Sequence, residues 1–393
     1  MNRGRGLKRP ETRVGEHRPT IPHLQTQLAR SRRRARTAPF RTFAACPLFP
    51  VAGVYHLDAR WHKTASPRYP DPLILNLFLL TPCWCRRSLG GSPVDRCEQR
   101  LMSPLELVGL APLMRLSRGR PEIPIGLIDG PVAMDHADLA GRPIREVPAE
   151  LSGTCSRAES VACRHGTAVA GMLSARRESH APGICPDCVL LVRPIFSESS
   201  PANGEVPSAT PEELAEAIVS CVQAGARVLN LSAALAQRSS EGERALQQAL
   251  DYAARRGSIA VAAAGNQGVV GSSAITRHPS VISVAACDLQ GRPLGESNLG
   301  SSIGRRGLMA PGDGIVSLGT NGSPYKFGGT SAAAPFVTGA VALLWSEFPN
   351  ASAAEIKYAM AQASATRRST IVPPLLNAWG AFQLMAPANK GGS

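Results

Sequence analysis

The sequence predicts a three-layer α/β domain built around a mainly parallel β-sheet. From about residue 121 onward, short apolar runs alternate with helical stretches, which is the pattern of parallel strands covered by helices. Five of these runs have the length and character of buried strands: 123–128, 189–195, 227–231, 258–263 and 281–285. Ligands bind such sheets beyond the carboxyl ends of the strands, so residues at those ends are the candidates for a functional site.

End signals along the chain predict where the helices begin and stop. Thr210 precedes a proline and two glutamates, as at a helix N-terminus. Gly257 follows a helical run and is a typical C-terminal stop. Ser352 and Glu355 have the spacing of a capping box. The predicted helices are 168–175, 211–224, 241–256, 331–348 and one that begins near residue 352.

Charge is distributed unevenly along the 393 residues, whose net charge is +14. Residues 1–101 contain 19 Lys and Arg against 6 Asp and Glu, so +13 lies there and the rest of the chain is nearly neutral. The nearly neutral part gives no electrostatic reason to expect a nucleic-acid partner. We expect residues 1–101 to be disordered, or not part of the native protein; the alternative is a basic arm for nucleic acid or anionic surfaces.

Composition changes abruptly at Met102, which we take as the hypothetical true start of the protein. The expected organisation is a lead-in segment over 102–120, a folded α/β domain over 121–385 and a frayed tail over 386–393. No run reaches the roughly 18 apolar residues that a membrane-spanning helix needs, and no ordinary export signal is present. The sequence therefore predicts no membrane span and a cytoplasmic location.

Three separated residues have the chemistry of a nucleophilic site. Asp129 ends the first predicted strand, His165 precedes a helical run of small residues, and Ser331 lies between a glycine-rich turn and a long apolar helix. Each residue alone would be a turn or capping residue. Together they predict a serine nucleophile, a histidine base that takes its proton, and an aspartate that orients the imidazole.

Asn266 is the fourth candidate, because it follows a predicted buried strand on a turn that contains Gly265 and Gly268. Its amide N–H could stabilise a developing oxyanion together with the backbone N–H of Ser331 at the start of the helix. The alternative is an ordinary turn, in which asparagine is also favoured.

These four positions resemble the subtilase family of serine proteases, with Asp129, His165 and Ser331 in the chain order of subtilisin. The resemblance runs from about residue 123 to 344. It implies a serine endopeptidase that cleaves polypeptides through an acyl-enzyme and needs no cofactor and no catalytic metal. It also implies a set of substrate-binding residues: Leu231, Ser232, Ala233, Ala263, Ala264, Gly265 and Thr330.

Two segments narrow the resemblance within the family. Residues 127–132 read Leu-Ile-Asp-Gly-Pro-Val and residues 191–196 read Leu-Val-Arg-Pro-Ile-Phe. Both are similar to the proteases of cyanobactin and related ribosomal-peptide pathways, where Asp-Gly-Pro-Val replaces the more usual Asp-Thr-Gly or Asp-Ser-Gly. This likeness implies cleavage of a precursor peptide that frees a modified core.

The chain departs from the family in two places. Ala168 stands where many subtilases have a second histidine, outside the expected triad. Ala233 and Ala234 stand where the family usually has glycines, beside the specificity pocket, so the preferred residue is not predicted. No acidic cluster resembles a family calcium site.

Two other functions compete with hydrolysis. A macrocyclising transpeptidase would use the same triad, but should carry an added insert over the cleft. Asp129 and His165 are 36 positions apart and His165 and Ser331 are 166 apart, which leaves little room for a helical lid. A non-enzymatic peptide- or nucleic-acid-binding protein is the second alternative, and an intact triad argues against it.

Cysteines leave three interpretations open. Cys155, Cys163, Cys185 and Cys188 fall close together in the sequence, and the last two form a C-x-x-C motif. They could be free structural thiols, disulfide partners, or the ligands of a zinc ion. Cys221 and Cys287 are expected to be small core residues.

Overall fold

A computed structural model of the protein describes residues 103–199, 209–232, 240–364 and 371–386. Three sequence predictions lie outside these described residues: the disordered basic segment over 1–101 with the start at Met102, the tail beyond residue 386, and the substrate-binding role of Ala233.

Ten helices and nine strands occur within the described residues. The helices are α1 (Pro104–Leu107), α2 (Leu110–Leu116), α3 (Val161–Ser174), α4 (Pro211–Gln223), α5 (Ser240–Arg255), α6 (Ala274–Arg277), α7 (Ser301–Arg306), α8 (Thr330–Glu347), α9 (Ala353–Ala363) and α10 (Ala378–Met385). The strands are β1 (Ile125–Asp129), β2 (Ile144–Glu146), β3 (Leu190–Pro194), β4 (Val228–Leu231), β5 (Ile259–Ala263), β6 (Val281–Cys287), β7 (Leu308–Pro311), β8 (Ile315–Leu318) and β9 (Pro324–Phe327).

Strands β1 to β7 form one parallel sheet in the order β2-β3-β1-β4-β5-β6-β7. All five predicted strands are in it, with ends shifted by one or two residues. The short strands β2 and β7, at the two edges of the sheet, were not predicted because three or four residues are too few for a clear period. Strands β8 and β9 form a separate antiparallel hairpin that leads directly into α8.

Helices cover both faces of the sheet, as predicted. Side chains from β1 alternate between two cores: Ile125 and Leu127 belong to the core that includes α3 and α8, and Ile128 belongs to the core that includes α4 and α5. Since successive strand residues point to opposite faces, this alternation produces three layers. The sequence-predicted fold class is therefore confirmed.

Most helix ends agree with the capping signals. Thr210 and Glu213 form the capping box of α4, and Ser352 and Glu355 form that of α9. Helix α3 differs, because it begins at Val161, capped by the Ser160 hydroxyl, seven residues before the predicted run at 168. His165 therefore lies inside a helix and not ahead of one.

The lead-in segment packs against the C-terminal helix. Helices α1 and α2 lie in it, and the Val108 carbonyl accepts a hydrogen bond from the Ala378 N–H at the start of α10 (2.9 Å). Leu110 and Leu113 are buried with Ala378 in the core that also includes α8. None of the helices in the described part of the chain has the length and apolar character needed to cross a bilayer.

Candidate active site

Asp129 is fully buried at the carboxyl end of β1, an interior strand of the sheet. Its Oδ1 accepts hydrogen bonds from the Gly130 N–H (2.6 Å) and from the His165 ring at Nδ1 (2.7 Å). Its Oδ2 is buried with no hydrogen-bond partner among the described residues. The carboxylate therefore directs its charge and its shortest side-chain contact towards the imidazole.

His165 reaches Asp129 from the second turn of α3, which packs tightly on the loop after β1. A side chain at Gly166 would overlap the carbonyl groups of Gly130 and Pro131. The absence of a side chain lets the helix lie directly on residues 130–131. This close packing fixes the distance between the imidazole and Asp129.

The protonation of His165 is set by two opposing effects. Burial lowers the pKa of the imidazole, but the charge of Asp129 and its hydrogen bond outweigh burial, so the pKa lies above its ordinary value. About a quarter of the side chain, 26%, remains exposed. The ring is thus held by one neighbour and still open on another side, as a base that must exchange protons requires.

Phe327 packs against the same imidazole from the β8–β9 hairpin. The two rings meet edge to face, with centroids 5.9 Å apart and planes at 85°. The ring of Tyr325 stacks on Phe327, with centroids 6.0 Å apart. Sequence reasoning missed both residues, because the four residues of β9 are too few for a clear strand pattern.

Ser331 lies in the first turn of α8 and is partly exposed. Its hydroxyl donates to the main-chain carbonyl of Ser232 (3.2 Å). It makes no hydrogen bond to His165 in the described structure. Catalytic hydrogen bonds are often long or poorly aligned in unliganded enzymes. Rotation about the Cα–Cβ bond of Ser331 would turn its hydroxyl away from the Ser232 carbonyl.

Two further contacts put Ser331 beside the Asp129–His165 pair. Ser232 directly follows β4, which pairs with β1, so the carbonyl that accepts from Ser331 is adjacent to the strand end at Asp129. Phe327, which touches the imidazole, is four residues before Ser331. The fold therefore brings Asp129, His165 and Ser331 to the end of the sheet that is formed by the carboxyl ends of the strands.

Asn266 is fixed in one orientation by Thr330. The Thr330 N–H donates to Asn266 Oδ1 (2.8 Å), and the Thr330 hydroxyl donates to the same oxygen (2.9 Å). A backbone N–H can only donate, so the atom it meets is the amide oxygen, and Nδ2 points the other way. Within the described structure Nδ2 has no hydrogen-bond acceptor and Asn266 is exposed.

Gly329 makes room for this amide. Its φ is +80°, and a Cβ there would lie 2.7 Å from Asn266 Nδ2. The Gly265 N–H donates to the Thr330 hydroxyl (3.1 Å), so the turn after β5 and the start of α8 are joined in both directions. The residue that holds the Asn266 amide therefore directly precedes Ser331 in the first turn of α8.

The remaining predicted substrate-binding residues are buried. This group comprises Leu231, Ser232, Ala263, Ala264, Gly265 and Thr330. Their contact with a peptide substrate stays a prediction. Thr330 is only 1% exposed, and its backbone N–H and its hydroxyl both donate to Asn266. Thr330 therefore supports the position of Asn266.

Asn230 is a second polar support that sequence reasoning missed. It is fully buried in β4, donates to the Ser232 hydroxyl (2.9 Å) and accepts from the Thr338 hydroxyl in α8 (2.7 Å). It thereby joins the strand end at Ser232 to the helix that carries Ser331. The sequence does indicate such a role, because Asn230 lies within an apolar predicted strand and a buried amide needs hydrogen-bond partners.

Two of the four clustered cysteines are paired near the site. Cys155 and Cys163 form a disulfide, and Cys163 is two residues before His165 in α3. Cys185 and Cys188 are free and buried elsewhere, so the four sulfurs do not meet as a zinc site. In the described part of the chain, one group of three residues has side chains close enough to bind a metal ion: Cys155, Cys163 and Glu198. Two of these residues, Cys155 and Cys163, are joined in the disulfide.

Cys221 and Cys287 are free and buried in the core as expected, where burial raises the pKa of both thiols to about 12. Disulfides are typical of oxidising compartments, so the Cys155–Cys163 bond does not favour the cytoplasmic location, which stays a prediction.

The sequence and the fold of this chain are similar to those of known proteins. The model of the subtilase family (Peptidase_S8) matches residues 121–380. Subtilisin DY from Bacillus licheniformis is 30% identical over 240 residues, which cover 60% of this chain and 81% of that protein.

Two solved structures are similar over nearly their whole length. A serine-to-alanine mutant of the protease domain of PatA has 30% identity, a TM-score of 0.61, and coverage of 68% of this chain and 96% of that one. The prenylagaramide maturation protease PagA has 28% identity, a TM-score of 0.61, and coverage of 70% and 97%. Because the family model matches about two thirds of its length, this chain belongs to the subtilase family and is a serine-type endopeptidase.

Proposed function

We propose that Ser331 is the nucleophile, His165 the general base and Asp129 the residue that orients the imidazole. The observation that carries this proposal is the 2.7 Å bond between His165 Nδ1 and buried Asp129, at the strand edge where the Ser331 hydroxyl lies. Since Nδ1 faces the carboxylate, it is the protonated nitrogen, and Nε2 is left with a lone pair for the serine proton.

The reaction then follows from these positions. Ser331 Oγ attacks the scissile carbonyl while its proton moves to His165 Nε2, and the charged imidazole is stabilised by Asp129. The same proton passes to the leaving amine as the peptide C–N bond breaks. A water then gives its proton to His165, attacks the acyl-enzyme and releases the carboxylic acid with the serine restored.

The oxyanion of each tetrahedral intermediate is assigned to two donors, Asn266 Nδ2 and the Ser331 backbone N–H. Asn266 is held by Thr330 with Nδ2 free, which supports this role. The Ser331 N–H lies in the first turn of α8, where backbone N–H groups have no partner within the helix. Donors that are already oriented do not need to reorganise when charge develops.

As the natural substrate class we propose a precursor peptide that is cut to release a processed product. Support comes from PatA and PagA, whose structures are described as patellamide and prenylagaramide maturation proteases and are 28–30% identical to this chain. The Asp129-Gly130-Pro131-Val132 segment points to the same group.

Hydrolysis is favoured over transpeptidation by the segment between Asp129 and His165. Residues 130–160 contain one three-residue strand, β2, and no helix. A transpeptidase must keep water from the acyl-enzyme until an amine attacks, and this segment offers no helical cover for that purpose.

Covalent labelling tests the nucleophile. A fluorophosphonate probe should modify the wild-type protein at Ser331, and Ser331→Ala should abolish labelling with an unchanged melting temperature. Mass spectrometry of a digested peptide library should then report linear products whose new carboxyl ends define the cleavage preference. Labelling that persists in Ser331→Ala would overturn the assignment, and cyclic products would replace hydrolysis with transpeptidation.

A further inference from the structure

A cavity of about 430 Å³ lies at the amino ends of β6 and β7, opposite the end of the sheet that carries Asp129, and basic side chains line it. It is an open cavity between α7, the beginning of β6 and α9. Arg305 and Arg306 come from α7 and Lys357 comes from α9, and no acidic side chain lines it. Two adjacent arginines and a lysine from a second helix thus converge at one place, although residues 102–393 as a whole are nearly neutral.

Arg306 and Lys357 have no carboxylate partner among the described residues. The Arg306 guanidinium donates to the Arg277 carbonyl (2.8 Å), and the Lys357 ammonium donates to the Ser280 carbonyl (3.3 Å). Burial lowers the pKa of Lys357, as expected for an ammonium group without a countercharge. Both side chains therefore keep N–H groups available for an anionic ligand.

Nearby carboxylates are already engaged. Asp251 bonds the His278 ring (3.2 Å), Glu243 pairs with Arg277 (3.4 Å), and Glu355 caps α9. They do not neutralise the cavity from within. A ligand that binds there must bring its own negative charge.

Apolar residues complete the cavity and indicate a peptide more than a small anion. Val281, Ile282, Leu308 and Met360 contribute to its lining. Tyr358 at its rim is 67% exposed, and exposed aromatic side chains are frequent anchors in protein interfaces. Beyond Tyr358 the surface carries Glu347 and Glu355, which would repel an acidic ligand and confine it to the cavity.

We propose that this cavity is an exosite for an acidic, partly apolar segment of the polypeptide substrate, which rests on the proposed peptidase function. Val281 at the cavity begins β6, whose opposite end lies at the catalytic edge of the sheet. Seven strand residues span about 23 Å. The acidic segment should therefore lie on the order of ten residues from the scissile bond, given about 3.4 Å per extended residue.

Paired fluorogenic peptides test the exosite. They share one cleavable segment, chosen from the peptide-library digest, and a ten-residue Gly/Ser spacer; one ends in six residues of alternating Glu and Leu, the other has Lys for Glu. We expect about a three- to tenfold lower KM for the acidic peptide at low salt and unchanged kcat, because each exposed charge pair contributes modestly. The difference should vanish in 1 M salt, where the Debye length is about 3 Å.

Arg306→Glu and Lys357→Met should each raise KM for the acidic peptide and so reduce the difference in KM between the two peptides. Neither should change kcat or fluorophosphonate labelling, which also verifies folding. Arg115→Glu, an exposed arginine on α2, is the matched control and should have no effect. Equal KM values for both peptides in active wild-type protein would overturn the exosite and leave the peptidase function standing.

Anisotropy with the labelled acidic segment alone, which has no cleavable bond, separates the two proposals. Binding that Arg306→Glu weakens and Arg115→Glu does not would support the cavity site even if no peptide were cleaved. Binding that is unaffected by Arg306→Glu and Lys357→Met would overturn it.

Discussion

Thr330 holds the amide oxygen of Asn266 with two hydrogen bonds, from its backbone N–H (2.8 Å) and from its hydroxyl (2.9 Å). Thr330 immediately precedes Ser331, so the residue that orients the proposed oxyanion donor is adjacent to the proposed nucleophile. One peptide bond thus joins the residue that orients Asn266 to the proposed nucleophile. Substitutions at Asn266 and Thr330 test the two roles separately.

Asn266→Ala should lower kcat by about 10² to 10³ with little change in KM. The amide N–H would be lost only where charge develops in the transition state, and the magnitude is that of the worked subtilisin example. Steady-state kinetics on a cleavable peptide measure this. A rise in KM at constant kcat would instead indicate a substrate-binding role.

Thr330→Val should lower kcat by about three- to tenfold, because one of the two bonds to Asn266 is lost and the backbone bond remains. Thr330→Ser keeps the hydroxyl and should restore most of the loss. In the Asn266→Ala background, Thr330→Val should have a much smaller effect on kcat. Full additivity of the two changes would show that Thr330 acts independently of the amide.

The pH dependence of activity should follow His165. Its pKa is raised because Asp129 outweighs burial, so kcat/KM should rise with pH through a value above 6.5. Asp129→Asn should shift this acid limb to lower pH and reduce kcat. An acid limb below pH 6.5 in the wild-type protein would contradict the electrostatic argument.

The same shift has a consequence for stability. A folded-state pKa above the unfolded value means that protonated His165 stabilises the fold below about pH 6.5, and this contribution is lost as pH rises through the raised value. Comparison of wild type with His165→Gln by denaturant unfolding across this range should show it. A difference that grows with rising pH would have the wrong sign.

The Cys155–Cys163 disulfide closes a short loop beside the proposed site. Replacing both residues by alanine should lower the free energy of unfolding by about 2–3 kcal/mol, from the chain entropy of a loop of this length. A reductant should destabilise wild type and leave the double variant unchanged. Thiol titration that finds both residues reduced in freshly purified protein would remove the basis for this prediction.

How much of the architecture could be predicted depended on the length of each element. Strands such as β1 and helices such as α4 have apolar patterns and capping residues that act locally, so their positions could be predicted within one or two residues. Edge strand β2 and the β8–β9 hairpin are stabilised mainly by their neighbours, and a pattern of three or four residues does not identify them.

The sequence by itself determined which side chains are available for chemistry, their order, and the parallel sheet that would gather them, because these depend on residue type and local periodicity. Only the tertiary structure decided that Asp129 meets Nδ1 of His165, that Ser331 turns towards Ser232, and that Thr330 frees one side of Asn266. Those relations depend on contacts between residues some 30 to 100 positions apart in the chain, which no local pattern encodes.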